Sequence, residues 1–209
     1  MKSTQPFAGL TAPELRAATK VIFTAHQPAT ETTWRREVLG LWRSAPVREQ
    51  QHAAIELAFH KPCRPWLTSN HWDMLDELIT SGAWWDFIDA MAPNHHAWLL
   101  AREPSVVKPL LRGYACDDNL WRRRVAILCQ LKQKSATDET LLFGCIKKSL
   151  DHKEFFVRKA IGWALRAHSR TNPDAVIEFV EKYAHRLSPL SKREGLKLLL
   201  RSGAVSEIP

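Results

Sequence analysis

Glycine is scarce in this chain, eight residues among 209, and none forms the Gly-rich loop that cradles phosphates, so nucleotide chemistry built on such a loop is not indicated. The four cysteines, Cys63, Cys116, Cys129 and Cys145, lack any C-x-x-C spacing, which argues against both a zinc site and a disulfide framework and fits a reducing cytoplasm. Nine histidines supply no H-E-x-x-H pattern, and the neighbours His95 and His96 leave a helix in different directions, so neither a metal nor another cofactor is expected. No apolar run approaches the ~20 residues of a membrane span, and the start Met1-Lys2-Ser3-Thr4-Gln5-Pro6 has no signal-peptide core. The expectation is an intracellular protein with no membrane partner. Strand-like alternation is missing as well.

What is present is helical. Ala, Leu, Glu, Lys and Arg abound, and apolar residues recur at intervals of three and four, which predicts an all-α chain. Breaks are expected at Gln27-Pro28-Ala29-Thr30, Ser44-Ala45-Pro46, Lys61 to Pro65, Thr80-Ser81-Gly82, Ala92-Pro93-Asn94, Glu103-Pro104, Thr171-Asn172-Pro173 and Ser188-Pro189. None is long enough to be a linker, so a single domain over residues 1–209 is expected, with residues 1–8 loosely ordered. Arg124-Val125-Ala126-Ile127 returns as Arg158-Lys159-Ala160-Ile161, an offset of 158 − 124 = 34, and a basic helix start follows at Ser191-Lys192-Arg193-Glu194. This faint period suggests HEAT-like or armadillo-like helical pairs stacked into a curved solenoid with a concave basic groove. A second echo, Trp72-Asp73-Met74-Leu75-Asp76 against Trp85-Asp86-Phe87-Ile88-Asp89, is compatible with coincidence. The formal net charge of +8 favours a polyanionic partner, and a duplex would fit such a groove.

Three positions stand out against this background. Trp84, Phe87, Ile88 and Met91 form the apolar stripe of one predicted helix, leaving Trp85 and Asp89 outside it, four apart and one turn over another. Alone, the pair reads more simply as extra packing beside a solvated acid. Arg124 falls inside the stripe of Leu120, Ile127, Leu128 and Leu131, where a guanidinium needs an anionic ligand, an internal carboxylate or an escape to solvent. Arg122 and Arg123 read as a solvated basic face. In the helix from Phe155, Phe156, Ala160, Ala164 and Ala167 share one side and Arg158, Lys159, Gly162 and Arg166 the other, with Trp163 at the seam. That second side suits phosphate contacts, with Lys192 and Arg193 as further backbone candidates, although a half-buried core Trp under cationic stems would look the same. The three positions are evenly spaced, 124 − 85 = 39 and 163 − 124 = 39.

The blocks Trp84-Trp85-Asp86-Phe87-Ile88-Asp89, Leu120 to Leu128 and Glu154 to Arg166 resemble the AlkD-like DNA alkylation repair enzymes, HEAT-like DNA glycosylases. The resemblance covers residues from about 30 to 205, with Leu10 to Lys20 a looser fit and Phe7-Ala8-Gly9-Leu10-Thr11 departing from the pattern. It implies Asp89 as the catalytic carboxylate, Trp85 and Trp163 as cleft tryptophans and Arg124 as a cleft arginine. It also implies excision of N3- or N7-alkylated purines from double-stranded DNA. No lysine adjoins Asp89 as a Schiff-base nucleophile, so hydrolysis by a monomer without strand cleavage is expected. The alternatives are a catalytically silent HEAT-like module that binds distorted duplex, and a helical protein-binding scaffold.

Overall fold

Proline and short polar side chains set where the helices begin. The computed structural model describes residues 5–209, and every regular element among them is helical. Helix α1 (Ala12–Ala25) starts where Glu14 reaches back to the Thr11 N–H at 2.7 Å. Thr30 caps α2 (Glu31–Arg43) by accepting from the Thr33 N–H at 3.2 Å. Then come α3 (Arg48–Ala58), α4 (Trp72–Gly82), α5 (Trp85–Met91) and α6 (Ala97–Arg102). Pro104 opens α7 (Pro104–Cys116), at a position where a missing N–H leaves no intrahelical bond unmade.

Asn119 and Asp138 cap α8 (Leu120–Leu128) and α9 (Glu139–Lys147), and α10 (Phe155–His168) follows. Asn172 and Ser188, each followed by proline, cap α11 (Pro173–Lys182) and α12 (Pro189–Gly195). The last helix is α13 (Lys197–Ser202). No helix among the described residues is long and apolar enough to cross a membrane.

Two expected breaks are built differently. The Thr80-Ser81-Gly82 stretch stays in the last turn of α4, and the chain turns one residue later at Ala83, whose φ is 41°. Gly82 serves packing instead, since a Cβ there would lie 2.7 Å from the Trp42 ring. At Ala92-Pro93-Asn94 the chain does not break but widens into a π-helical turn, Ala92–His96, leading into α6. Pro93 has no N–H for an α-helical bond, and the wider turn accommodates that loss.

The structure divides into two compact units, residues 1–90 and 91–209. In the first, α2 packs on α3 and α4, and α1 packs on α3. Trp34 is fully buried, its Nε1 donating to the Leu57 carbonyl at 3.1 Å. Residues 1–4 of the expected loose start lie outside the described residues. Over Pro6 to Leu10 the looseness gives way to pinning: the Pro6 carbonyl accepts from the Arg48 N–H, and Glu49 accepts from the N–H groups of Ala8, Gly9 and Leu10.

In the second unit α7 packs on α8 and α9, α8 on α10, and α10 on α12. The 34-residue echo therefore marks two adjacent helices, with Ala126, Ile127, Ala160 and Ile161 all buried. Gly162 makes the closest approach. A Cβ there would lie 2.5 Å from the Glu194 Cβ and 3.0 Å from the Ser191 carbonyl oxygen. Gly162→Ala should therefore lower stability by about 1–3 kcal/mol through overpacking. Gly144→Ala, on α9 where a Cβ meets nothing within 4 Å, should raise it by up to about 1 kcal/mol. Urea titration of both variants checks the pair; equal effects would remove the close contact as the reason.

Candidate functional site

The stripe that defines α5 is apolar and fully enclosed: Phe87, Ile88 and Met91 are all buried. Successive residues turn 100° about a helix axis, which leaves Trp85, Asp86, Asp89 and Ala90 on the opposite side. All four are half-buried. The structure thus brings Trp85 and Asp89 together on one face, outside the stripe. Trp84, grouped by its spacing with the stripe, precedes the helix and is itself half-buried; its carbonyl accepts from the Ile88 N–H.

Trp85, Asp86 and Ala90 line a cavity of about 380 Å³ within the first unit. Phe7, Leu10 and Leu15 close its apolar side, and Arg48, Glu49 and His52 supply polar groups.

Another carboxylate of this helix, Asp86, has its partners on a neighbouring helix. Asp86 Oδ1 accepts from Arg48 Nη2 at 2.5 Å, and His52 Nε2 lies 3.2 Å from Asp86 Oδ2. Arg48 is 2% exposed and its guanidinium also covers the Phe87 ring at 4.2 Å. Burial pushes the Asp86 carboxyl up, but the bonds from His52 and Arg48 outweigh it and hold the group below the ordinary carboxylate range. The only local signal was the echo of Trp72-Asp73 in Trp85-Asp86. Asp73 pairs with Arg35 across 38 residues, and Asp86 pairs with Arg48 across the same 38. The echo is structural.

The other candidates lie in the second unit, and most of their charges have protein partners. Arg124 is 3% exposed, and its Nη1 donates to the Phe156 carbonyl at 2.5 Å. That acceptor is a backbone oxygen at the start of α10, a partner outside those that the sequence suggested. Arg123 is not the solvated side chain its position suggested. It bonds the carbonyls of Ala115, Cys116 and Asp117 at the end of α7, and that of Lys148. Exposed carbonyls at a helix C-terminus attract a cation. Arg122 pairs with Asp117 at 3.0 Å.

Trp163 is half-buried on α10. Gly162, expected beside the basic residues to admit another backbone, does admit one, but it belongs to α12. Lys159 and Arg166 both pair with Glu194 of α12, at 2.7 and 2.8 Å. The bond from Lys159, opposed by burial, holds the Glu194 carboxyl low. Arg158 donates from Nε to the His152 carbonyl at 2.9 Å, Lys192 bonds the Pro209 carbonyl, and Arg193 is exposed. Among the described residues no group of three or more His, Cys, Asp or Glu side chains is placed to hold a metal ion.

Comparison with known proteins accords with these elements. A solved structure of a predicted DNA alkylation repair enzyme from Enterococcus faecalis superposes with a TM-score of 0.84 at 32% identity, covering 93% of this chain and 89% of that one. No curated protein matches the chain. The family model for DNA alkylation repair enzymes matches residues 1–199, and the chain belongs to that family.

Proposed function

We propose that the protein is a DNA glycosylase that hydrolyses the N-glycosidic bond of positively charged N3- and N7-alkylated purines, such as 3-methyladenine and 7-methylguanine, in duplex DNA. The observation that carries this reading is that Asp89 and Trp85 share the half-buried face of α5 opposite its apolar stripe, in a chain of the DNA alkylation repair family. An alkylated purine already carries positive charge, so it can depart as a neutral base without first being protonated. As the bond from C1′ to the purine nitrogen breaks, positive charge develops on the sugar. The Asp89 carboxylate stabilises that charge and orients the water whose oxygen bonds to C1′, the water proton passing to Asp89 or solvent.

Trp85 and Trp163 offer aromatic faces to a cationic base or sugar, contacts of roughly 0.5–2 kcal/mol each. Arg124 is assigned to the DNA-contacting set by the family resemblance, as the residue holding a backbone phosphate; its bond to the Phe156 carbonyl also ties α8 to α10. Arg193, exposed, and Arg158, Lys159, Arg166 and Lys192, half-buried, are the proposed backbone contacts. Glu194 neutralises part of the charge of Lys159 and Arg166, which puts more of the phosphate attraction on the others. We assign the protein no cofactor, a monomeric state and a cytoplasmic location.

Asp89→Asn should slow release of 7-methylguanine from a methylated duplex by about 10²–10³-fold, the scale on which one electrostatic stabiliser is lost, with DNA binding kept. Chromatography of released bases under single-turnover conditions measures it, and an equal rate in the variant would take the role from Asp89. Binding of several alkylated duplexes with no base released by the wild-type chain would favour the silent DNA-binding module. The DNA strand should stay intact until alkali is added; gel analysis showing nicks without alkali would sink the monofunctional assignment. Affinity should also fall steeply with salt as counterions are released. Salt-independent binding, or none, would point to the protein scaffold.

A further inference from the structure

Asp86 and Asp89 sit three residues apart on a helix of seven, and the first of them is gripped from outside. Arg48, the first residue of α3, bonds Asp86 Oδ1 at 2.5 Å and lays its guanidinium 4.2 Å from the centre of the Phe87 ring and 5.6 Å from that of Phe7. One turn along α3, His52 meets Asp86 Oδ2 at 3.2 Å, its own ring 4.7 Å from Phe87. The Phe87 N–H donates to Asp86 Oδ1 at 3.0 Å. Both oxygens of one carboxylate are therefore held by successive turns of a neighbouring helix.

α5 runs on through the π-helical turn into α6, but its first turn, where Asp86 lies, has N–H groups with no intrahelical partner and is its least constrained part. Its apolar stripe fixes which side is buried but not the last degrees of rotation, because dispersion contacts are individually weak and undirected. A charged pair with short, directed bonds does constrain rotation. We propose that Arg48, assisted by His52, is a positioning residue: by holding Asp86 it sets the rotation of α5, and through it the aim of Asp89 and Trp85. This rests on the glycosylase reading of Asp89. At the ~5–6 Å radius of helix side chains, a rotation of about 10° displaces a carboxylate by about 1 Å, and such a misplacement can cost on the order of 10²-fold in rate.

The test uses the full chain and a duplex carrying one 7-methylguanine, comparing wild type, Arg48→Lys, Asp86→Asn, Asp89→Asn and each of the first two combined with Asp89→Asn. Single-turnover base release, DNA affinity and thermal melting are measured for each. Arg48→Lys keeps the charge but loses the planar fork; Asp86→Asn keeps the shape but loses the charge. Each should release base at least about tenfold more slowly than wild type while DNA affinity stays within about twofold. In the Asp89→Asn background each should add clearly less than its own loss, since misaiming a carboxylate that is already disabled costs nothing more and only the share due to Trp85 remains.

Wild-type rates in both variants would overturn the inference. So would affinity falling in step with rate, or losses that simply add to that of Asp89→Asn. Failure of both variants to fold would also overturn it, since the pair would then hold the fold rather than aim a helix. If the wild-type chain releases no base, the glycosylase reading fails and this inference with it, whereas release by wild type with any of the preceding outcomes overturns the inference alone.

Discussion

A guanidinium almost without solvent must be neutralised where it lies, and Arg48 is that constraint in the first unit. At 2% exposure it has been removed from water, a transfer that costs several kcal/mol unless a counter-charge and further bonds meet it. Asp86 supplies the charge, Gln5 accepts from Nη1 at 3.1 Å, and Phe87 and Phe7 offer ring faces. Next to it on α3, Glu49 gathers the N–H groups of Ala8, Gly9 and Leu10. The first turn of α3 therefore holds two pieces of chain distant in sequence, the segment before α1 and the start of α5. The cavity beside Trp85 is walled by those pieces. Its shape depends on where the buried cation sits.

Charge in the second unit is managed by a different rule. The formal excess of +8 is a property of composition, but the potential at the surface depends on which cations remain uncompensated. Arg123 is bound to the carbonyl end of α7 and Arg124 donates to a backbone oxygen. Glu194 stands between Lys159 and Arg166 because α10 and α12 approach so closely at Gly162 that one carboxylate reaches both. A count of basic residues along these helices thus overstates the charge facing outward. What remains is concentrated on fewer side chains, Arg193 among them.

How much of this was legible in the sequence follows from the range of each interaction. Helix starts at Pro104, Pro173 and Pro189 were readable because proline and its capping neighbour act within four residues. The all-helical class and the stripe of Phe87, Ile88 and Met91 were readable because periodicity is local too. That Trp85 and Asp89 share a face of α5 needed only helical spacing. The partners of Asp86, of Lys159 and of Arg124 were not readable, for each lies more than thirty residues away and nothing local distinguishes a paired charge from a solvated one. Arg123 shows the same blindness: its spacing places it off the stripe, and only the end of α7 nearby turns that position into a cap. The Ala92–His96 turn was misread for another reason, as proline marks a lost hydrogen bond without saying whether the helix stops or widens.

The two Trp-Asp helices show what burial adds to a motif. In α4 and α5 the residues run in step: Trp72 and Trp85 half-buried, Met74-Leu75 and Phe87-Ile88 buried, Asp76 and Asp89 half-buried, Leu78-Ile79 and Met91-Ala92 buried. Each also carries an aspartate in its first turn paired with an arginine at the same sequence separation. The pairs differ in their burial and in the further bonds that Asp86 receives from His52 and the Phe87 N–H. The Arg35 and Asp73 side chains are 38% and 66% exposed, where an ion pair contributes about 0–1 kcal/mol and water exchanges with it freely. Those of Arg48 and Asp86 are 2% and 13% exposed, where leaving either partner alone costs about 3–5 kcal/mol. A weak pair cannot resist a small rotation of its helix, whereas a buried one makes that rotation expensive. The same local sequence therefore gives α4 a solvated contact and α5 a fixed orientation, and it is α5 that presents the carboxylate on which the chemistry is proposed to depend.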